Sequence, residues 1–180
     1  MHYSDLPSRK PNRLKSYDYS QNGCYFITIC VKDKRELFWD KSVGARIARP
    51  PLSDMGEVVR NAIENIPNIY KSITVENYVI MPNHIHLLLL ISDDPGRAMR
   101  APTITTDPTI TTDSGRAMRA PTISTVINQL KGYVTKQTRG SVWQKLFHDH
   151  IIRNNADYLD IWKYIDENPA RWDEDCFYPK

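Results

Sequence analysis

The sequence predicts an α+β fold, a ferredoxin-like antiparallel sheet with helices packed on one face and a C-terminal strand and helix extending it. Three observations predict it. Segments rich in β-branched and aromatic residues alternate with segments of helical periodicity, in the order strand, helix, strand, strand, helix, strand, helix. Two of the strands are separated only by Pro82 and Asn83, which makes them an antiparallel hairpin. The chain has 180 residues, 41% apolar and 25% charged, enough for one core. No apolar run reaches the roughly 18 to 20 residues that cross a bilayer.

The elements follow in order. CYFITICV at 24–31, with Gly23 before it, is a strand by composition. Ser53 or Asp54 starts a helix, and Asp54 has Glu57 at capping-box spacing. Met55, Val58, Val59, Ala62 and Ile66 form its apolar stripe, and Pro67 ends it. Residues 73–81 and 84–91 are the hairpin strands. A helix over 124–139 carries Ile123, Ile127, Leu130 and Val134 on one side and is closed by Gly140. Residues 142–152 suit a strand. Asn154 or Asn155 then caps a last helix through Tyr158, Ile161, Trp162 and Ile165, stopped at Asn168-Pro169.

One domain over 1–180 is expected, with a basic arm at 1–20, a low-complexity insert at 92–122 and a C-terminal extension at 142–180. The insert repeats itself. GRAMRAPTI occupies 96–104 and again 115–123, and PTITTD occupies 102–107 and 108–113. Two short copies cannot stack a core, so a flexible connection is expected there. GARIARPP at 44–51 is expected to be a loop. The net charge is only +3, and Arg9, Lys10, Arg13 and Lys15 against Asp5 place that excess in the arm. A basic arm before a neutral body suits a polyanion. Cys24, Cys30 and Cys176 form no CxxC pair, which argues against a disulfide framework or a zinc knuckle. The first fifteen residues have no apolar stretch behind their basic residues, so a secretory signal is not expected; a cytoplasmic protein is.

Four of the five histidines fall in two pairs, His84/His86 and His148/His150. On a strand, i and i+2 face the same way, so His84 and His86 could share one divalent ion. Taken alone, HxH more often marks two hydrogen-bonded strand histidines. On the helix that follows, Tyr133 and Gln137 are four residues apart and lie on one face beside the apolar stripe. Spacing alone favours an ordinary boundary tyrosine and a solvated glutamine.

The segments RKPNRLKSYDYSQNGCYFITIC, YVIMPNHIHLLL and WQKLFHDHIIRNNADYLDIWKYIDENPARW resemble the REP-associated tyrosine transposases, a branch of the HUH single-tyrosine transposases of the insertion-sequence type. The resemblance implies that His84 and His86 are metal ligands, Tyr133 the nucleophile and Gln137 the third ligand. It implies Mg2+ or Mn2+ as cofactor. The activity implied is cleavage and rejoining of single-stranded or hairpin DNA through a 5′-phosphotyrosine. It also makes His150 and Arg153 candidate DNA contacts beside the arm residues Arg9, Lys10, Arg13 and Lys15. His148-Asp149-His150 fits the HUH pattern poorly because its middle residue is acidic. Tyr3, Tyr17, Tyr19 and Tyr25 suit either base stacking or core packing. A monomer is expected, with a helix-exchanged dimer as the alternative. Two rival functions are a catalytically silent DNA-binding relative and a metal phosphodiesterase that uses water.

Overall fold

The computed structural model describes residues 17–40, 50–92 and 121–178. The arm residues Arg9, Lys10, Arg13 and Lys15, Tyr3 and nearly all of the insert lie outside the described residues.

Four strands form one sheet: β1 (Gly23–Cys30), β2 (Ile73–Ile80), β3 (His84–Ile91) and β4 (His148–Ile152). Their order is β2-β3-β1-β4, and every neighbouring pair is antiparallel. The chain leaves β1, passes through α1 (Asp54–Glu64) and the single turn α2 (Ile66–Ile69), and returns as β2 two places away. β3 then fills the gap, as in a split β-α-β unit. α3 (Ile123–Thr138) joins β3 to β4, and α4 (Asn155–Glu167) follows, running into a 3-10 segment, Asn168–Glu174.

Each helix begins at a residue that can accept a backbone hydrogen bond. Ser53 caps α1 through Gly56 N at 3.1 Å, so the cap is Ser53, not the Asp54 of the capping-box spacing. Thr122 caps α3 and Asn154 caps α4. α3 closes one residue earlier than its glycine suggests, because Arg139 itself takes the left-handed conformation at φ 52°. The expected strand at 142–152 is shorter; only His148–Ile152 pairs along β1, and Trp143 makes an isolated bridge to Val31.

β3 is apolar at almost every position after its histidines, the signature of a strand covered on both sides. Ile85, Leu87, Leu89 and Ile91 face one core, with Ile27 and Ile29 of β1, Val59 and Ile63 of α1, and Val126, Ile127, Leu130 and Val134 of α3. Leu88 faces a second core with Cys24, Val79, Ile152 and Ile165 of α4, flanked by Phe26, Tyr158 and Trp162. Helices therefore cover both faces, where one was expected, and the C-terminal strand and helix are an edge of the sheet and its second cover. Fully burying each leucine contributes about 1.5 to 3 kcal/mol. Tyr19 and Tyr25 are buried in the first core, with Tyr17 packed against it, and the Tyr25 hydroxyl donates to Gln21 O; this corrects base stacking for Tyr19 and Tyr25. No helix among the described residues is long and apolar enough to cross a membrane.

The turn between β2 and β3 is tied down from outside. Val31 N donates to Asn83 O at 2.8 Å, and Leu37 N to Pro82 O at 2.7 Å. The segment after β1 also approaches α1 closely: a Cβ on Gly56 would lie 2.3 Å from Phe38 O and 3.0 Å from Leu52 Cβ. Gly56→Ala should therefore destabilise the protein by roughly 1 to 3 kcal/mol despite alanine's better helix propensity. Urea denaturation measures it, and a stabilised variant would contradict the close approach.

Candidate active site

The hairpin turn delivers His84 and His86 side by side at the start of β3, on the face covered by α4 and the C-terminal segment. Their Nε2 atoms are 3.0 Å apart, and the Asp175 carboxylate approaches His84 Nε2 to 3.9 Å. Ligand atoms of all three residues lie within 4.8 Å of one another, the arrangement needed to hold one metal ion. His84 and His86 are 0% and 1% exposed, and the Asp175 side chain is 3% exposed. Each imidazole is held from behind: Asn83 Oδ1 is 2.9 Å from His84 Nδ1, and Thr28 Oγ1 is 2.8 Å from His86 Nδ1. Aromatic rings close the rest. Phe26 stacks on His86 at 5.1 Å between centroids, and Phe177 covers His84 at 4.5 Å.

Burial, and for His84 also the neighbouring His86, pushes the two imidazoles down to about 2 and about 3 respectively. Both are neutral at pH 7, as metal ligands must be. Two imidazole nitrogens and a buried carboxylate oxygen converge on one point, and a cation there would satisfy them together. The donor set thus fits a metal ion, which His84, His86 and Asp175 could hold together.

Tyr164, on α4, is the tyrosine at this cluster. Its hydroxyl lies 3.4 Å from His86 Nε2, and its ring packs edge-on at 5.2 Å. The residue is 42% exposed and lines an open groove of about 520 Å³ with Asp160, Glu167, Asn168 and Asp175. Burial first, then the Asp175 charge, pushes its phenol up to about 12, while a hydrogen bond from Asn168 opposes the rise. Asn168 is buried, and among the described residues its Oδ1 has no hydrogen-bond partner.

Tyr133 and Gln137 are not brought to the histidines. α3 packs on the Ile85/Leu87/Leu89 side of the sheet, and strand alternation puts His84 and His86 on the other side. Tyr133 is 46% exposed and lines a separate groove between α3 and α1–α2, with Asn65, Ile69 and Tyr70. Gln137, one turn further, is exposed. The sheet stands between these residues and the cluster, so this chain does not bring them together with His84 and His86 as expected. The four-residue tyrosine–amide spacing that singled them out recurs as Tyr164 and Asn168, on the face that carries His84 and His86. His150 and Arg153 are exposed at β4 and just after it; His150 Nε2 lies 2.9 Å from Asp157, whose carboxylate also accepts from Arg153 N. His150 pairs with Phe26, so it projects to the same face as the cluster. Thr28 and Asp175 carry no sequence signal of their own.

No family model matches the chain. It is 35% identical over 185 aligned positions to an uncharacterized protein of Haemophilus influenzae, covering 94% of this chain and 93% of that one. It is 26% identical over 155 positions to a second protein of that organism, named "Putative REP-associated tyrosine transposase", covering 86% of this chain and 74% of the other. Among solved structures it is similar, at a TM-score of 0.58 and 18% identity, to a REP-associated tyrosine transposase bound to a REP hairpin, over 89% of this chain and 74% of that one. The four-stranded antiparallel sheet with its helices is thus a transposase fold. The chain is similar to REP-associated tyrosine transposases in sequence and in fold.

The buried neutral histidines make stability depend on pH. An unfolded histidine titrates near 6.5, roughly three or more units above the folded pair. Between those values the unfolded state binds more protons, so stability falls as pH drops below about 6.5 and is flat above it. The slope approaches about 1.4 kcal/mol per pH unit for each histidine. Urea midpoints between pH 8 and 5 should show this fall, and the H84Q/H86Q double variant should flatten it. Equal slopes in the two proteins would contradict the burial argument.

Proposed function

We propose that this protein is a metal-dependent single-strand DNA endonuclease and strand transferase that works through a covalent 5′-phosphotyrosine at Tyr164. The observation that carries this reading is the Tyr164 hydroxyl 3.4 Å from His86 Nε2, beside the His84/His86/Asp175 cluster. The chain's kinship to REP-associated tyrosine transposases supports a DNA-processing role, and a related structure bound to a REP hairpin supports hairpin DNA as substrate. Exposed Lys32, Lys34, Arg35, Arg139 and Lys145 lie in the loops at the His84 end of the sheet, where they suit a phosphate backbone. The arm residues Arg9, Lys10, Arg13 and Lys15, with His150 and Arg153, extend the proposed DNA contacts.

His84, His86 and Asp175 would hold Mn2+ or Mg2+; the two imidazoles favour Mn2+ on ligand preference. The bound cation supplies Lewis-acid polarisation of a non-bridging phosphate oxygen. Asn83 and Thr28 orient the imidazoles, and the Phe26 and Phe177 rings exclude water around them. Asn168, donating to the Tyr164 oxygen, favours the phenolate that burial and Asp175 oppose. Its unpartnered Oδ1 is a further candidate ligand. Attack of the Tyr164 oxygen forms the O–P bond and breaks the P–O3′ bond. The phenol proton passes to solvent, and the departing O3′ takes one up. A DNA 3′-OH attacking the phosphotyrosine reverses the step and joins strands without ATP. Nucleophile and histidines come from one chain, which supports a monomer over a helix-exchanged dimer.

The test is incubation of labelled hairpin DNA with Mn2+, followed by denaturing gels that resolve covalent protein–DNA adducts. Tyr164→Phe should lower adduct formation by on the order of a thousandfold or more, and Tyr133→Phe should leave it within about twofold. Loss in Tyr133→Phe with retention in Tyr164→Phe would overturn the assignment. Cleavage that persists without an adduct in Tyr164→Phe would favour a water nucleophile. Thermal melts provide a second check. Saturating Mn2+ should raise Tm in the wild type by several degrees and far less in H84Q/H86Q, because an ion that binds only the folded state stabilises it.

A further inference from the structure

Asn83 is 2% exposed and sits in the turn just before the paired histidines. Its amide nitrogen donates to Phe177 O at 2.9 Å and to Lys34 O at 3.4 Å. Backbone carbonyls only accept, so these two contacts fix which end of the amide points where. Oδ1 is then the atom that faces His84 Nδ1 at 2.9 Å. An amide oxygen also only accepts, so Nδ1 must carry the proton. The lone pair of His84 is consequently on Nε2, the atom that faces His86 and Asp175.

The same amide reaches the third ligand. Phe177 N donates to Asp175 Oδ1 at 2.6 Å, so residues 175–177 form one closed turn. Holding Phe177 O holds that turn, and with it the Asp175 Oδ2 that lies 3.9 Å from His84 Nε2. It also seats the Phe177 ring on His84. Residues 83 and 175 are far apart in sequence, and the Asn83 side chain links the hairpin turn to the C-terminal segment by a hydrogen bond.

We propose that Asn83 is a positioning residue that assembles the metal centre by two contacts: its oxygen fixes the His84 tautomer that offers Nε2, and its nitrogen anchors the 175–177 turn that presents Asp175. This rests on reading the cluster as a metal site. The outer hydrogen bonds of metal-bound histidines commonly govern affinity by roughly 10- to 100-fold.

Two measurements on the full chain test it. Nitrogen-15 NMR of the metal-free wild type should show His84 with its proton on Nδ1; a proton on Nε2 would overturn the proposal whether or not any variant folds. Titration calorimetry with Mn2+ alone should show Asn83→Ala weakening binding by roughly 10- to 100-fold. Asp175→Ala should weaken it too, and the double variant should lose less than the product of the two factors, because Asn83 acts partly through Asp175. Wild-type affinity in Asn83→Ala, or multiplicative losses, would overturn the proposal and leave the metal site standing. No Mn2+ binding to the wild type would overturn the metal site itself and Asn83's role with it.

Discussion

Side chains alternate across β3, and both of its faces are covered, so each residue of HIHLLLLI belongs to one of two separate cores. Everything at the site depends on that division. Ile85, Leu87 and Leu89 go to the α3 side; His84, His86 and Leu88 go to the α4 side. A one-residue slip of register would exchange the two sets. The Pro82-Asn83 turn prevents it, because backbone groups after β1 hold that turn in place. Among the described residues, those that reach the histidines lie on α4, on the segment after it, on the same face of the sheet or in the turn itself.

Burying two imidazoles at the start of an apolar strand is unfavourable unless their polar atoms are satisfied. Asn83 and Thr28 satisfy one nitrogen of each. The other nitrogens meet at 3.0 Å beside a buried carboxylate, an arrangement that a cation would relieve. The same burial separates the protonation states of the site's groups. It keeps the histidines neutral and the Tyr164 phenol protonated. A phenol so poised would need positive charge nearby to act as a nucleophile, and the His84/His86/Asp175 cluster lies beside its hydroxyl.

Much of this was legible in the sequence. Strand parity placed the histidines together, and composition placed the hairpin and the helix caps to within a residue or two. What was not legible is which helix covers which face. Tyr133/Gln137 and Tyr164/Asn168 share the same spacing, and periodicity along a helix cannot choose between them. The unbroken apolar run of β3 carried the missing information, since a strand buried on both sides requires a second helical layer over its histidines. Asp175 was illegible for another reason. A lone carboxylate near the end of the chain reaches the site only because the segment after α4 folds back over β3.

β3 begins with the histidines and ends seven residues on at Ile91, about 23 Å away at strand rise. The chain leaves the sheet there, at the end remote from the histidine cluster, and α3 begins at Ile123 on the opposite face. Added length between Ser92 and Pro121, which takes in most of the doubled GRAMRAPTI, is therefore joined to the sheet at the end away from His84, His86 and the turn that precedes them. The molecule has a side that must keep ångström-level geometry and a side whose connection can grow. A gene acquiring repeats in this stretch would be lengthening its protein at the join where geometry is least demanding.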